Sequence, residues 1–160
     1  MRSATEFVEV SELEKKRFRI VVDTNIVMGG LINPDRSSSG RVVRLWLEGV
    51  LEALVTEAIR GEYLDIFSKM RFGPAEALQK RERGLEQLLA KARLIQTDLR
   101  FECIPDDPAD NRFLECAVAG GACYIVTQDR HLLSLGEFRG VRILTASDFL
   151  RYYQKRSEGE

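Results

Sequence analysis

The sequence predicts an α/β protein in which a parallel sheet is covered by helices on both faces. Short apolar runs of strand length alternate with longer segments of helical periodicity, and connections of that kind give parallel strands. The chain has 160 residues, of which 44% are hydrophobic, and this suits one compact domain. No apolar run approaches the ~20 residues of a membrane span, so we expect no membrane contact.

The N-terminal part of the chain supplies the first predicted strand and helix. Residues 1–17 are polar and are interpreted as an N-terminal extension. The apolar run at 18–22 is the first strand. Because residues 29–40 are rich in Gly, Ser and Pro, they are predicted to form a loop. A helix follows over 41–48, where the apolar residues share one side and Gly49 ends the pattern.

The middle of the chain is predicted to contain two helices between two strands. The second strand covers 51–55, and Thr56 caps the helix that runs to about residue 70. A proline at the first position opens the next helix, over 74–93, whose apolar residues fit one face. A weak third strand is expected within 94–104.

The last part of the domain is predicted to contain two further strands, 123–126 and 141–144. Between the third and fourth strands, Asp107 is the predicted N-cap of a helix that begins at the following proline. A final helix is expected to end with the domain, which covers 18–153 and precedes a polar tail at 154–160.

The charge balance and the cysteines limit the function. The net charge is −1 and the pI is about 6.0, so charge alone would not give tight nonspecific binding to nucleic acid. A local basic surface beside an acidic pocket stays compatible with these numbers. The three cysteines form no C-x-x-C pair, which is typical of a cytoplasmic protein with reduced thiols.

Asp23 follows the first predicted strand at its carboxyl end, where an α/β sheet opens into a ligand-binding crevice. The alternative is a helix N-cap or a turn, which is common for aspartate before a new element. Residues 24–28 offer no clear helical start, which counts against the capping role, but Asp23 taken alone leaves the functional and the local role equally open.

Asp129 repeats this layout, because it follows the strand at 123–126 and two polar residues. Its alternative role is to cap a short helix over 131–135. If the first and fourth strands are neighbours, their tips lie ~5 Å apart, and Asp23 and Asp129 then share one crevice.

Two further acids lie on predicted helices. Glu62 falls at the edge of the apolar stripe of its helix, and the alternative is a boundary residue that reaches water. Asp110 is in line with Leu114 and Ala117 on the buried face of its helix. A favourable interaction with the helix dipole would explain an acid in the first turn. It would not explain why that acid faces the core.

Carboxylates that point into one crevice repel each other unless a cation compensates. The four acids are Asp23, Glu62, Asp110 and Asp129, and all their donor atoms are oxygen. The sole histidine, His131, and the scattered cysteines cannot build a zinc site. Hard oxygen ligands suit Mg²⁺ or Mn²⁺, and such a centre is suited to phosphodiester hydrolysis through activated water.

Several short segments, taken in order, carry a resemblance to a known family. They are Val22-Asp23-Thr24-Asn25, Glu62-Tyr63-Leu64, Asp107-Pro108-Ala109-Asp110-Asn111-Arg112-Phe113-Leu114-Glu115, and Ala119-Gly120-Gly121-Ala122 with Val126-Thr127-Gln128-Asp129. The ordered set resembles PIN-domain nucleases and is closest to the VapC-like branch, the toxin components of toxin–antitoxin modules. The resemblance covers about residues 18–151.

The resemblance implies a three-layer α/β/α sandwich with a central parallel sheet of strand order 3-2-1-4-5. It implies an endoribonuclease that uses Mg²⁺ or Mn²⁺ to cleave single-stranded RNA, with a small antitoxin protein as partner and a homodimeric state. Carried over by position, the four acids named above are the catalytic and metal-binding residues. Asn25 and Thr127 would be polar support that orients an acid or the metal-bound water.

This chain departs from the family pattern at one position. Many relatives carry a second aspartate two residues after the equivalent of Asp129, whereas this chain has His131 there. If the missing acid helps to hold a second metal ion, a single-metal mechanism follows. The number of metal ions therefore stays open at this point.

Other classes of α/β protein that carry acids at the ends of their strands fit this sequence less well. A response-regulator receiver needs an acidic pair after the first strand and a lysine after the last one, where this chain has Thr145. A haloacid-dehalogenase-type phosphatase needs a second aspartate at position 25, which is Asn25. The remaining alternative is a PIN scaffold that binds RNA or protein without catalysis. The presence of all four acids favours activity.

Substrate contacts must come from residues outside the acidic set. Arginines that are near the predicted crevice in sequence are candidates for contact with RNA phosphates, and ordinary solvated surface is the alternative for each. These candidates are Arg36, Arg41, Arg44 and Arg130.

Overall fold

The computed structural model describes residues 18–158 of the chain, which form one six-stranded sheet, seven α-helices and a 3₁₀ turn (Pro108–Asp110). The strands are β1 (Arg19–Val22), β2 (Glu52–Val55), β3 (Arg93–Leu94), β4 (Tyr124–Val126), β5 (Glu137–Phe138) and β6 (Val141–Leu144). The helices are α1 (Thr24–Ile32), α2 (Ser38–Leu47), α3 (Glu57–Ser68), α4 (Ala75–Lys91), α5 (Asn111–Gly120), α6 (Arg130–Leu135) and α7 (Ala146–Glu158). The predicted extension at 1–17 lies outside the described residues.

The strand order in the sheet is β3-β2-β1-β4-β6-β5. All neighbouring pairs are parallel except β5 and β6, which are antiparallel. The predicted order 3-2-1-4-5 is confirmed, with β6 as the fifth predicted strand. The unpredicted strand β5 is a two-residue edge strand. It is joined to β6 through Arg139 and Gly140, which both have positive φ, as tight hairpin turns require.

The central strands lie between two layers of helices. Ile20, Val21 and Val22 in β1 are all fully buried. Because successive strand side chains point to opposite faces, burial of all three requires that both faces of the sheet are covered. Helix α5 packs against β1, β2 and β4, whereas α7 packs against β6 and α2. The α/β/α sandwich is therefore confirmed.

Helix α1 corrects the sequence prediction at the start of the domain. Residues 24–28 were expected to lack a helical start and 29–40 to form a loop, but α1 begins at Thr24 and continues through Ile32. Its glycines serve close packing rather than a turn. A Cβ atom on Gly30 would lie 2.5 Å from Val43 Cγ2 and 2.7 Å from the Ser39 carbonyl oxygen. Contact between α1 and α2 outweighs the ~1 kcal/mol helix penalty of glycine.

Two predicted helix caps have different outcomes. Thr56 caps α3 as predicted, because its hydroxyl accepts a hydrogen bond from the Ile59 backbone N–H at 3.2 Å. Asp107 precedes the 3₁₀ turn, but its side chain makes no capping hydrogen bond. The predicted capping role of Asp107 is therefore wrong.

The ends of the remaining elements differ from the predictions by a few residues. Helix α2 begins at Ser38. Ser37 is its N-cap, and the Ser37 hydroxyl accepts a hydrogen bond from Gly40 N–H at 2.9 Å. Strand β3 is only two residues long, and α7 continues to Glu158 rather than ending near 153. None of the helices within residues 18–158 is both long and apolar enough to cross a membrane.

Candidate metal centre

The carboxyl ends of β1 and β4 lie side by side. Val22 and Val126 are partners in the parallel pairing of the two strands, and Asp23 N–H donates to the Val126 carbonyl oxygen at 2.9 Å. Asp23 directly follows β1, and Asp129 directly precedes α6. The expectation that the first and fourth strands are neighbours is correct, so the two acids are at the same edge of the sheet.

Asp23 is a buried acid whose carboxylate is held from the β4 side. It occupies the N-cap position of α1, yet its side chain makes no capping hydrogen bond there. Instead Thr127 Oγ1 donates to Asp23 Oδ2 at 2.5 Å. Burial raises the pKa of Asp23 from 3.8 to about 6, although the Thr127 hydrogen bond opposes the rise. The carboxylates of Glu62 and Asp129 raise this pKa further.

Glu62 is half-buried on α3, and its carboxylate is held from the β1 side. Thr24, the first residue of α1, donates its hydroxyl hydrogen bond to Glu62 Oε2. The neighbouring Tyr63 is fully buried, and its hydroxyl donates to the Val22 carbonyl oxygen at the end of β1. Because of these two contacts, α3 is attached to the end of the strand that leads into Asp23.

The tightest group of acids consists of Asp107, Asp110 and Asp129. One carboxylate oxygen from each of the three lies within 4.8 Å of the other two. Asp110 is only 6% exposed, and its Oδ2 has no hydrogen-bond partner in the part of the chain that the structure describes. Burial, followed by the proximity of Asp129, raises the pKa of Asp110 from 3.8 to about 8.

Asp129 has both a local role and a place in this group. Its Oδ1 accepts hydrogen bonds from the backbone N–H groups of His131 at 2.8 Å and Leu132 at 3.2 Å. The alternative role of helix capping, considered from the sequence, is therefore observed. A carboxylate has acceptor capacity for further partners. The Asp129 backbone N–H in turn donates to Thr127 Oγ1 at 2.9 Å, so Thr127 connects Asp23 to Asp129.

The acids at this edge of the sheet have no cationic side chain as a partner. Within residues 18–158, no lysine or arginine forms an ion pair with any of the five, which are Asp23, Glu62, Asp107, Asp110 and Asp129. Carboxylates this close cannot all ionise without a compensating charge. The donor set is oxygen only, which fits a hard divalent cation such as Mg²⁺ or Mn²⁺.

Glu115 is a buried acid in the same domain whose charge is neutralised by arginines. It is only 2% exposed on α5. Arg112 lies 3.1 Å and Arg100 3.7 Å from its carboxylate, and the Phe101 backbone N–H donates to it at 2.9 Å. The contrast with Asp110 on the preceding turn indicates that the acid cluster is not an ordinary structural ion pair.

The other residues predicted to assist the site have mixed placements. Thr127 bridges two acids, whereas Asn25 is exposed, and no hydrogen bond joins its side chain to another residue between 18 and 158. His131 is also exposed. The candidate arginines Arg36, Arg41, Arg44 and Arg130 are all exposed, and Arg44 is paired with Asp35 at 2.8 Å.

Sequence reasoning missed three contributors to the site. Thr24 and Tyr63 were missed because their partners, Glu62 and the Val22 carbonyl, become neighbours only through tertiary packing. Asp107 was assigned to capping because an Asp-Pro pair before a helix is a typical N-terminal signal. One sequence signal was available for Asp107: it is three residues before Asp110, a spacing that brings two side chains near each other in a helical turn.

The sheet order and the acids at the ends of β1 and β4 define an α/β/α protein with a candidate cation site at the carboxyl edge of its sheet. A family model described as "PIN domain" matches residues 19–131. The chain belongs to the PIN-domain family. PIN domains are generally nucleases, and the acidic cluster that could bind metal is present in this chain.

Two solved structures share this fold. A chain in the crystal structure of VapBC2 from Rickettsia felis, bound to a DNA fragment from their promoter, is 13% identical with a TM-score of 0.52. That match covers 78% of this chain and 96% of the other. PAE2754 from Pyrobaculum aerophilum is 18% identical with a TM-score of 0.54, and the match covers 83% and 88% of the two chains. No curated protein sequence matches significantly.

Proposed function

We propose that this protein is an endoribonuclease that hydrolyses single-stranded RNA with the help of Mg²⁺ or Mn²⁺. The observation that carries the proposal is the set of five neighbouring carboxylates at one edge of the sheet, none of which forms an ion pair with a lysine or arginine within residues 18–158. Membership in the PIN-domain family supports nuclease chemistry. A buried, unpartnered Asp110 oxygen supports a bound cation as the missing partner.

Asp23, Glu62, Asp110 and Asp129 would hold the cation in this proposal. When bound, the cation lowers the pKa of a coordinated water and neutralises charge that develops on the phosphate. The protein supplies the positions of the ligands. Thr127 fixes the Asp23 carboxylate and the Asp129 backbone, and Thr24 fixes the Glu62 carboxylate.

The substrate would be bound by residues on the exposed rim of the crevice. Arg36, Arg41 and Arg130 are exposed and are proposed to contact RNA phosphates, whereas Arg44 already has Asp35 as a partner. The net charge of −1 indicates that these contacts would be local. We therefore expect the affinity for RNA to fall only gently as the salt concentration rises, because few phosphate contacts contribute to it.

The biological role that we propose is that of the toxin of a toxin–antitoxin pair in the cytoplasm. The fold is shared with a chain of the R. felis VapBC2 structure, which supports a small antitoxin protein as partner. A homodimeric state is part of the same proposal. A PIN scaffold that binds RNA or protein without catalysis is the alternative function. Two observations support this alternative: Asn25 is exposed, and position 131 carries a histidine in place of an acid.

RNA cleavage by the purified full chain tests the proposal. Cleavage of a labelled single-stranded RNA should stop in EDTA and return with Mg²⁺ or Mn²⁺. Glu62→Gln should reduce the rate by ~10-fold or more, the scale of losses around metal sites. Asp65→Asn is the matched control, because Asp65 lies on the same helix, is exposed and pairs only with Lys69.

Two outcomes separate the alternatives. Cleavage that persists in EDTA, or that Glu62→Gln leaves unchanged, contradicts the metal-dependent nuclease. RNA binding without cleavage under any divalent cation supports the scaffold. Circular dichroism of both variants must match that of the parent protein, so that a loss of activity reports chemistry and not unfolding.

A further inference from the structure

We propose that Asp107 is an additional ligand for the divalent cation and binds it together with Asp110 and Asp129. The inference rests on the proposed function in one respect, because it places the same cation in the same crevice. It goes beyond the four-acid site in assigning a fifth acid. It also places the compact part of the site at the start of α5.

The first argument is the position and freedom of the Asp107 side chain. One of its carboxylate oxygens lies within 4.8 Å of oxygens from both Asp110 and Asp129. Asp107 makes no capping hydrogen bond to the turn that follows it. No lysine or arginine forms an ion pair with it in the described range 18–158. The Asp107 carboxylate is therefore available to bind a cation.

The second argument is that the backbone around Asp107 is held in place. The buried Asn111 side chain accepts hydrogen bonds from Cys103 N–H at 2.9 Å and Ile104 N–H at 3.1 Å. It donates to the carbonyl oxygens of Ile104 and Pro108, both at 3.2 Å. All hydrogen-bonding positions of this amide are used. The segment that carries Asp107 is thereby tied to the first residue of α5.

The third argument is the buried oxygen of Asp110 that lacks a hydrogen-bond partner. The Asp110 residue is only 6% exposed, and its Oδ2 has no hydrogen-bond partner between residues 18 and 158. A buried acceptor without a partner costs about 1–3 kcal/mol. Asp107 and Asp129 can only accept hydrogen bonds when ionised, so they cannot satisfy Asp110 once it is ionised as well. The protonated form of Asp110 instead donates a hydrogen bond to Asp129. A cation between the three would satisfy all of them.

The arrangement also differs from the four-acid site expected from the sequence. Within the part of the chain that the structure describes, the compact group contains Asp107 but neither Asp23 nor Glu62. Those two acids instead accept hydrogen bonds from threonine hydroxyls. The geometry thus brings the three aspartates close enough to share one cation, and Asp23 and Glu62 remain the other two acids of the proposed site.

Binding of Mn²⁺ by the metal-free full chain tests this assignment without relying on activity. Isothermal titration calorimetry and Mn²⁺ electron paramagnetic resonance should be run on the parent protein, Asp107→Asn and Asp106→Asn. Asp106 is exposed and adjacent, and it is not in the cluster, so it is a matched control. We expect Asp107→Asn to weaken Mn²⁺ binding by ~10-fold or more and Asp106→Asn to leave it unchanged.

The outcomes distinguish this inference from the proposed function. If the parent protein and Asp107→Asn bind Mn²⁺ equally well, Asp107 is not a ligand, and the proposed nuclease site stands without it. If the parent protein binds no Mn²⁺, both proposals are overturned. An unfolding temperature of Asp107→Asn in EDTA that is no lower than that of the control would show that a weaker affinity reports loss of a ligand and not loss of the fold.

Discussion

The hydroxyl of Thr127 donates a hydrogen bond of 2.5 Å to Asp23 Oδ2, across the boundary between β4 and β1. The same hydroxyl oxygen accepts the backbone N–H of Asp129 at 2.9 Å. One side chain therefore connects the two strand ends that carry acids. Thr127 is completely buried, so water cannot replace it in either contact.

Thr127→Val should disturb the site while preserving the shape of the side chain. The substitution leaves Asp23 without its donor and the Asp129 N–H without its acceptor, and we expect a loss of about 1–3 kcal/mol in the free energy of unfolding. RNA cleavage should fall by ~10-fold or more. Thr127→Ser keeps the hydroxyl and is the control. Urea unfolding and cleavage assays of both variants check this, and equal behaviour of the two would contradict the bridging role.

The stability of the metal-free protein should depend on pH in an unusual direction. The pKa values of Asp23 and Asp110 rise from 3.8 to about 6 and about 8 on folding. At a pH between the unfolded pKa of 3.8 and the folded pKa of each group, the folded state binds more protons than the unfolded state. The free energy of unfolding therefore falls as the pH rises. This contribution is fully present below pH 3.8 and is lost through about pH 6 and about pH 8.

Thermal unfolding in EDTA across this pH range checks that prediction. The unfolding temperature should decrease from about pH 5 to about pH 8, and Mn²⁺ should restore it at the higher pH because binding to the folded state stabilises it. The double variant Asp23→Asn with Asp110→Asn should flatten the pH dependence. An unfolding temperature that rises over this range in EDTA would show that these carboxyls do not control it.

The glycines of α1 and α3 should respond in opposite ways to alanine. Gly30→Ala places a Cβ 2.5 Å from Val43 Cγ2 and 2.7 Å from a backbone carbonyl oxygen, and overpacking of this kind costs about 1–3 kcal/mol. Gly61 is exposed on α3 with no atom within 4 Å of a new Cβ. Gly61→Ala should therefore stabilise the protein by up to about 1 kcal/mol. Denaturant titration of both variants measures the difference, and a loss of stability in Gly61→Ala would contradict it.

Much of the fold could be predicted because its central strands, β1 and β4, are strongly apolar and buried on both faces. The strand order followed once the family resemblance was recognised from the motifs around Asp23 and Asp129. Helix α1 could not be predicted, since glycine indicates a loop in sequence, whereas Gly30 is needed for close contact with α2. Strand β5 was missed because two residues are too few to show a strand period.

The candidate site could be predicted only where each acid carried its own sequence signal. Asp110 faces the core, and Asp23 and Asp129 follow the carboxyl ends of strands, so all three could be selected from the sequence. Asp107 had a sufficient local explanation as a cap, and that explanation fails only when the hydrogen bonds are known. The roles of Thr24 and Thr127 depend on side chains from distant segments, which periodicity cannot locate.

The central claim is that a divalent cation compensates the charges of the acid cluster and supports RNA cleavage. Asp110→Asn tests it most directly, by measuring single-stranded RNA cleavage with Mn²⁺ and thermal unfolding in EDTA on the same preparation. Above about pH 8, where Asp110 is ionised, removing its buried charge should raise the unfolding temperature of the metal-free protein, because repulsion with Asp107 and Asp129 is relieved. We predict that cleavage is lost in this more stable variant. Cleavage at the parent rate by Asp110→Asn would contradict the account.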